Sequence, residues 1–241
     1  MDISATGSGS SVNRHVSLNL DASAINGLKK MPVDMFDGVY LGEAHNYALV
    51  LCVDVRNFSN FLTAHQDDTV FKLIKEFTSN LLSCINQFGY GCSYYKLMGD
   101  GALVIWDEAN EASVNEALYI FDSYTAFLDD ELFSSFNGLG LGGALVEEKV
   151  FKYEISAEVS QLKYRDYIGY GINLACRLQE LAGKDELVIN ETLAKYGAVP
   201  FRIDKSPKKL KELRSYKGLK EDDRKQILFY TGQSRDDMMF F

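Results

Sequence analysis

The sequence has few of the features that mark histidine-based metal proteins, membrane proteins or nucleic-acid-binding proteins. Its 3 histidines, His15, His45 and His65, are too few and too scattered for a histidine metal site. The 25 basic residues are outnumbered by 34 acidic ones, and the net charge of -9 argues against a uniformly basic face for nucleic acid. The longest apolar run, around Ala48–Val53, is far shorter than the ~20 residues of a membrane-spanning helix. These absences predict a protein that binds no nucleic acid and has no membrane span.

Cysteine is also scarce, and no two of the 4 cysteines form a C-x-x-C pair. Each lies among apolar or small residues, so we interpret them as buried, reduced thiols. The N-terminal segment lacks the charged start and the apolar stretch of a signal peptide. Together these features predict a cytoplasmic protein. The cysteines are Cys52, Cys84, Cys92 and Cys176.

The composition is that of a globular chain, because 46% of the residues are hydrophobic and 12% are aromatic. A length of 241 residues fits one sizeable domain with tails. We assign residues 1–36, which are rich in Ser, Gly, Asn and Ala, to a flexible tail, residues 37–232 to the domain, and residues 233–241 to a second tail. Since the net charge is negative, a polyanionic substrate has to be attracted by metal ions or local cations.

The hydrophobic pattern predicts an α+β fold. A nearly continuous apolar run, Tyr47–Asp54, is typical of a strand buried on both faces. Apolar residues at helical spacing from Phe71 to Phe88 predict a long helix that ends at Gly89. The order β-α-β-β-α-β is that of a ferredoxin-like sheet. The further predicted elements are a hairpin with strands Cys92–Met98 and Ala102–Trp106, a helix over about Glu111–Phe133, paired strands Leu139–Val146 and Val150–Ile155, a helix over about Ile172–Leu181, a strand Glu186–Ile189 before a helix capped by Asn190, and a last strand Gln226–Tyr230.

Two aspartates are candidates for metal binding. Asp54 closes the buried strand, and Asp100 lies in the turn of the hairpin. Either residue alone is explained as a helix cap or a turn former. Because the first strand and the hairpin lie beside each other in the β-α-β-β order, we expect the two carboxylates to meet at one edge of the sheet. Two hard oxygen ligands there suit Mg²⁺ or Mn²⁺, with phosphate oxygens completing the coordination.

A second pair of polar residues lies on the later predicted helix. Asn173 and Arg177 are four residues apart and therefore share one helix face. Alone, they fit a helix-start asparagine and a surface arginine. An amide and a guanidinium directed at one point can also hold a pentavalent phosphorus and its developing charge.

Three strings resemble the signature motifs of class III adenylate and guanylate cyclases. They read Asp54-Val-Arg-Asn-Phe-Ser59, Lys96-Leu-Met-Gly-Asp100 and Asp166-x-x-Gly-x-x-x-Asn173-x-x-x-Arg177. Each string alone is weak, but all three occur in family order on matching elements, and the resemblance covers about residues 47–230. It implies a palm-type cyclase catalytic domain, which closes a nucleoside triphosphate into a 3′,5′-cyclic monophosphate and releases pyrophosphate.

The resemblance implies that Asp54, Asp100 and the carbonyl of Val55 bind two divalent metal ions, Mn²⁺ or Mg²⁺. It also assigns the triphosphate to a stretch of backbone in the first string. Here the chain departs from the family, because Asn57 stands where glycine is usual and Ser59 where threonine is. Both changes look tolerable. The triphosphate-binding residues would be Asn57, Phe58 and Ser59, together with a late lysine for which Lys217 and Lys220 are both candidates.

The remaining matches concern the base, the ribose and the transition state. Lys96 and Asp166 would read the base, Asn173 would orient the ribose, and Arg177 would stabilise the transition state. In the family these residues and the metal ligands come from different chains of a head-to-tail homodimer. All six key positions are filled, so the resemblance favours an active enzyme.

The base is not decided by this pair alone. Lysine only donates and ionised aspartate only accepts, so Lys96 and Asp166 suit adenine, cytosine or uracil. Pocket volume must then separate purine from pyrimidine. Alternation along the strand should place Tyr94 on the same face as Lys96. The bulky residues next to the two base-reading positions are Tyr94, Tyr95, Arg165, Tyr167 and Tyr170.

Domain architecture adds a second expectation about the substrate. A catalytic domain with no sensor or membrane domain resembles the bacterial Pycsar pyrimidine cyclases, which make cyclic UMP or cyclic CMP during phage infection and activate a separate effector. We therefore expect UTP as substrate ahead of CTP, and a separate effector that senses the cyclic nucleotide. The alternative is an adenylate cyclase that makes cyclic AMP from ATP.

Two other classes of protein fit this sequence less well. A nucleotide-binding regulatory domain without turnover is expected to lack a metal aspartate or the Asn/Arg pair, and this sequence has both. Polymerases and diguanylate cyclases share a palm-like core. A diguanylate cyclase needs a Gly-Gly-Asp/Glu-Glu-Phe-like hairpin, whereas the turn here reads Met98-Gly-Asp-Gly-Ala102.

Overall fold

A computed structural model describes residues 2–5, 16–19, 38–128, 136, 138–157, 162–196 and 227–230. The chain divides into two compact units, residues 1–41 with 153–165 and residues 42–152 with 166–241. The described strands are β1 (Asp2–Ala5), β2 (Val16–Asn19), β3 (Gly38–Arg56), β4 (Tyr94–Met98), β5 (Gly101–Trp106), β6 (Gly140–Ala157), β7 (Leu162–Ile168), β8 (Glu186–Asn190) and β9 (Ile227–Tyr230). The described helices are α1 (Phe58–Ala64), α2 (Asp67–Phe88), α3 (Glu111–Phe127), α4 (Tyr170–Gln179) and a 3-10 helix, Glu191–Tyr196.

The main sheet has β3 near its centre. Strand β3 pairs antiparallel with β5, from Leu49 opposite Trp106 to Asp54 opposite Gly101, and β5 pairs antiparallel with β4. The order is β4-β5-β3-β6-β8-β9, with β7 paired to β6. Strands β3, β4, β5 and β6 with helices α2 and α3 reproduce the predicted β-α-β-β-α-β arrangement, so the α+β ferredoxin-like fold is confirmed.

The second half of β3 is buried on both faces, as its continuous apolar run predicts. Leu51 packs in one core with residues of α2 and α3, whereas its neighbour Val50 packs in a second core with Leu174 and Leu178 of α4. Alternation of side chains along a strand produces this division. The first polar residue after the run is Asp54, which is half-buried. The packing of β3 therefore brings a carboxylate to the edge of a close-packed core.

Helix α2 ends where the sequence predicts, with the N–H of Gly89 donating to the Ile85 carbonyl at 2.8 Å. The predicted apolar face is wrong at Phe71, which is 67% exposed. Residues four apart share one face of a helix, and the buried face of α2 begins at Leu73. Phe71 lies two positions earlier and therefore points away from that face. The short helix α1 is absent from the sequence prediction. The fully buried residues of α2 are Leu73, Phe77, Leu81 and Ile85.

The predicted pairing of Leu139–Val146 with Val150–Ile155 is wrong, because both segments belong to the single strand β6. The residues between them, Glu147-Glu148-Lys149, contain no glycine, asparagine or proline that would favour a tight turn. Strand β6 pairs with β7 and runs parallel to β8. Helix α3 ends at Phe127, and the predicted continuation to Phe133 lies outside the described residues.

The smaller unit contains part of the predicted N-terminal tail. Strands β1 and β2 pair antiparallel, from Asp2 opposite Asn19 to Ala5 opposite Val16. Residues 2–5 and 16–19 of the predicted tail therefore have regular structure. In the described part of the chain as a whole, no helix is long and apolar enough to cross a membrane.

The four cysteines are free thiols. Cys52 is buried, and the other three are half-buried. Burial raises the pKa of the Cys84 thiol to about 11, which keeps it protonated. The Sγ atoms of Cys52 and Cys176 lie 3.8 Å apart and form a hydrogen bond. Full burial is thus confirmed for Cys52 alone.

Candidate active site

The structure brings Asp54 and Asp100 together at one end of the β3–β5 ladder. Asp54 lies opposite Gly101, and the Val55 N–H donates to the Asp100 carbonyl at 3.1 Å. Gly101 permits this approach, because a Cβ there would lie 2.5 Å from the carbonyl oxygen of Val53. Gly99, with φ of 69°, completes the turn in a conformation that favours glycine. The Met-Gly-Asp-Gly sequence thus places two carboxylates side by side.

Like charge makes this pair electrostatically unfavourable. Burial, and then the negative charge of Asp100, raise the pKa of the Asp54 carboxyl to about 6. The guanidinium of Arg56 opposes this shift, with its Nη1 atom 3.5 Å from Asp54 Oδ2. One cation is already present at the pair, and the raised pKa shows that it does not fully compensate the carboxylates.

Sequence reasoning missed Arg56, although it lies within the first signature string. Its Nη2 atom donates to the Gln179 side-chain oxygen at 2.6 Å and to the Gln179 carbonyl. Its guanidinium lies against Gly142 in β6, where a Cβ would collide with it. Burial lowers the pKa of Arg56. Neither Gln179 nor Gly142 is close in sequence, so only the fold reveals this bridge from β3 to the end of α4.

The carboxylate pair suits a metal ion that shares its ligands with a substrate. Within the described ranges, no group of three or more His, Cys, Asp and Glu side chains could hold a metal by itself. Mg²⁺ in proteins is commonly bound by one or two carboxylates, with phosphate oxygens and water completing the octahedron. Asp54, whose pKa is raised by burial and by the charge of Asp100, and Asp100 itself fit that ligand set.

The predicted triphosphate-binding segment forms the tight entry into α1. Asn57 adopts a left-handed conformation, with φ of 62°, and its side-chain amide donates to the Gly138 carbonyl at 2.6 Å. Asparagine is one of the few residues other than glycine that tolerates this conformation, which explains how it can stand at a position where the resemblance leads one to expect glycine. Phe58 packs against the core, and Ser59 is exposed.

Lys96 and Asp166 meet directly. Lys96 Nζ lies 2.6 Å from Asp166 Oδ2, and the Tyr94 hydroxyl donates to Asp166 Oδ1 at 2.9 Å. Alternation along β4 predicts this shared face for Tyr94 and Lys96, and Tyr95, with the opposite orientation, is 50% exposed. Of the bulky residues named from the sequence, Tyr94 contacts Asp166 through its hydroxyl, and Tyr167 donates to the same carboxylate oxygen through its backbone N–H.

The other bulky neighbours have different surroundings. Tyr170 begins α4 and packs against the second core. Arg165 forms an ion pair with Glu154, with 2.5 Å between Nε and Oε1. Neither observation places these two side chains beside a base.

Asn173 and Arg177 lie four residues apart on α4. Asn173 is exposed and Arg177 is half-buried. Among the residues described, no hydrogen bond or ion pair engages either side chain. Gly169, with φ of 149°, precedes this helix, and a Cβ there would lie 2.8 Å from the Lys149 carbonyl oxygen. The glycine of the third string therefore lets α4 start close against β6.

No family model and no curated protein matches this sequence. Solved structures do match. The adenylyl cyclase CyaB from P. aeruginosa has 15% identity and a TM-score of 0.60, over 81% of this chain and 99% of that one. The guanylyl cyclase Cya2 has 15% identity and a TM-score of 0.58, over 81% and 96%. The guanylate cyclase domain of RhGC from Catenaria anguillulae, in complex with GTP, has 12% identity and a TM-score of 0.55, over 78% and 96%.

The fold is that of an adenylyl or guanylyl cyclase catalytic domain. On this cyclase fold the predicted site residues lie in three places. Asp54 and Asp100 lie at the same end of the β3–β5 ladder, Lys96 and Asp166 form an ion pair, and α4 carries Asn173 and Arg177. The two late lysines, Lys217 and Lys220, lie outside the described residues.

Proposed function

We propose that the protein is a class III nucleotide cyclase, which converts a nucleoside triphosphate to a 3′,5′-cyclic nucleotide and pyrophosphate. The observation that carries this proposal is the pairing of Asp54 with Asp100 at a hairpin turn of a cyclase fold. The ribose 3′-oxygen attacks the α-phosphorus and its proton passes to solvent. The bond from the α-phosphorus to the bridging oxygen of the leaving pyrophosphate breaks.

Each candidate residue has a definite task in this reaction. Asp54, Asp100 and the Val55 carbonyl would hold two divalent ions, which lower the pKa of the 3′-hydroxyl and offset the charge of the triphosphate when bound. The turn at Asn57 presents backbone to the triphosphate. Asn173 orients the ribose, and Arg177 meets the charge that develops on the phosphorus.

The direct test is to incubate the pure protein with each of the four nucleoside triphosphates and Mn²⁺ and to identify the products by mass. A cyclic mononucleotide together with pyrophosphate supports the proposal. Release of orthophosphate alone, or no product from any of the four, contradicts it.

We further propose that the substrate is a pyrimidine nucleotide, UTP ahead of CTP, and that the product is a second messenger of a Pycsar-type antiphage system with a separate effector. The Tyr94 hydroxyl is bonded to the base-reading Asp166, so its ring narrows the space beside the Lys96–Asp166 pair. A narrow pocket excludes a purine by steric clash. Uracil then places a carbonyl on Lys96 and its N–H on Asp166.

An adenylate cyclase is the second candidate, because the Lys96–Asp166 pair satisfies the edge of adenine equally well. Initial rates at matched concentrations of ATP, UTP and CTP separate the two. Faster formation of cyclic AMP would assign the protein to the adenylate cyclases and leave Tyr94 as a packing residue.

We also propose a homodimer with shared sites, in which one chain supplies the aspartates and its partner supplies Asn173 and Arg177. Mixing an Asp100→Ala chain with an Arg177→Ala chain restores one of two sites in each heterodimer. Random pairing then gives about a quarter of the wild-type rate. Demonstrated heterodimers that remain inactive would contradict the shared site.

A further inference from the structure

The two oxygens of Asp166 have different partners. Oδ1 accepts from the Tyr94 hydroxyl at 2.9 Å and from the Tyr167 backbone N–H at 2.8 Å. Oδ2 lies 2.6 Å from Lys96 Nζ. The Lys96 side chain is 42% exposed, whereas that of Asp166 is 9% exposed. Oδ1 is therefore held by the protein, and the Oδ2–Lys96 edge is where exchange with a base can take place.

Tyr167 lies behind this arrangement and is only 3% exposed. Its ring centroid is 5.2 Å from that of Tyr94, with the planes tilted by 42°. Its hydroxyl donates to Asp107 Oδ1 at 2.7 Å, and His45 Nε2 lies 3.6 Å from the same oxygen. Asp107 directly follows β5, so it anchors Tyr167 to the central sheet.

We propose that Tyr167 is a positioning residue for base selection, which holds the Tyr94 ring and Asp166 Oδ1 in place through its bond to Asp107. The inference rests on the proposed function, since it concerns how the same site distinguishes bases. Tyr167 touches both groups at once, by its ring and by its backbone N–H. Without the hydroxyl anchor the Tyr94 ring gains freedom, and the pocket accepts bases of different size more equally.

The test compares Tyr167→Phe with wild type for UTP and ATP. The ratio of the two kcat/KM values should move about 10-fold towards equality, whichever base the wild type prefers, as expected when the shape of a pocket wall is relaxed. The kcat for the preferred nucleotide should change by less than about three-fold, because the aspartate pair is untouched. Tyr119→Phe, which removes a hydroxyl from an exposed position of α3, is the matched control and should leave the ratio unchanged.

The partner of the hydroxyl provides a second variant. Asp107→Ala removes the acceptor of the Tyr167 hydroxyl at a side chain that is 38% exposed. It should reproduce the shift in the ratio of kcat/KM values for UTP and ATP. Combining it with Tyr167→Phe should add little, since both remove one hydrogen bond. Asp107→Asn keeps an acceptor oxygen and should restore most of the selectivity.

Binding of 3′-deoxy-UTP and 3′-deoxy-ATP gives a readout without turnover, because these analogues lack the attacking hydroxyl. An unchanged selectivity ratio in both Tyr167→Phe and Asp107→Ala would overturn the inference. Equal losses of kcat/KM for both nucleotides would also overturn the inference, since they would show that Tyr167 has a general structural role. Failure of the wild type to bind either analogue would overturn the proposed function itself, and the inference with it.

Discussion

Asp54 and Asp166 are both half-buried or buried carboxylates of the same cyclase fold, but their surroundings are opposite. Asp54 lies beside a second negative charge, and its pKa is raised to about 6. Asp166 lies among donors, with Lys96, Tyr94 and the Tyr167 N–H on its two oxygens. The negative charge of the first site is only partly compensated by Arg56, whereas the carboxylate of the second is hydrogen-bonded before any ligand binds.

This contrast separates two tasks. The repulsion between two like charges is relieved when a divalent ion and a polyphosphate bind, so the electrostatic energy of the aspartate pair changes strongly during the reaction. A hydrogen-bonded cluster keeps one shape and discriminates between ligands that do or do not match it. We therefore expect damage to the aspartate pair to abolish chemistry and damage to the base-reading cluster to alter selectivity.

The largest effect is expected from Asp100→Ala, and equally from Asp54→Ala. Loss of either proposed metal ligand should lower kcat by on the order of 10³ or more, since catalysis of phosphoryl transfer depends on the charge that bound ions supply. Rates of cyclic nucleotide formation at saturating Mn²⁺ provide the measurement. Thermal unfolding of each variant controls for folding, and a near-normal rate for Asp54→Ala would refute the metal assignment.

Arg177→Ala tests whether catalysis depends on a charge that acts in the transition state. It should lower kcat by about 10²–10³, with little change in nucleotide affinity. Single-turnover rates and binding of a 3′-deoxy analogue measure the two quantities separately. If affinity and rate fall by equal factors, Arg177 is instead a clamp for the bound phosphates.

The aspartate pair was accessible from the sequence for a physical reason. A continuous apolar run fixes β3, and an Asp-Gly turn fixes the hairpin, so local signals place Asp54 near the end of one strand and Asp100 in the turn that precedes its neighbour. The fold class follows from the same periodicities. Strand β6 was predicted as two strands although Glu147-Glu148-Lys149 has no turn-forming residue, because the partners that extend it, β7 and β8, come from other parts of the sequence.

The site residues that the sequence did not predict are those whose partners are distant in the chain. Arg56 is recognised only when Gln179 on α4 and Gly142 on β6 are in place around it. Tyr167 and Asp107 are 60 residues apart, and their hydrogen bond depends on the register of separate strands. The position of Asp107 directly after β5 is the one local signal that could have drawn attention to it.

Tyr94→Ala tests whether the tyrosine ring limits the size of the base that binds beside Asp166. Removing the ring should raise kcat/KM for ATP relative to UTP by about 10-fold, because contacts of this size in a pocket are worth about that much in selectivity. Turnover of both nucleotides should remain metal-dependent. Tyr170→Ala, at a residue that packs against the second core, is the comparison variant and should change the ratio less. A larger change of the ATP/UTP ratio in Tyr170→Ala than in Tyr94→Ala would indicate that α4, not β4, forms the wall of the base pocket.

The smallest effect concerns stability and pH in the absence of metal. Asp54 has a pKa of about 6 in the folded chain, against an ordinary value of 3.8, so the folded protein binds the extra proton between these values. Its contribution to the free energy of unfolding is therefore present below about pH 4 and is lost as pH rises through about 6. Asp54→Asn stays neutral and should escape this loss.

In EDTA at pH 8, Asp54→Asn should accordingly unfold at a higher temperature than wild type, with about 2–4 °C for each kcal/mol recovered in a chain of this size. At pH 4 the two midpoints should converge, because wild-type Asp54 is then largely protonated. Adding Mn²⁺ at pH 8 should raise the wild-type midpoint and leave the variant nearly unchanged. A variant that is less stable than wild type at pH 8 without metal would show that the Arg56 contact outweighs the repulsion from Asp100, and the contrast between the two carboxylate sites would then fail.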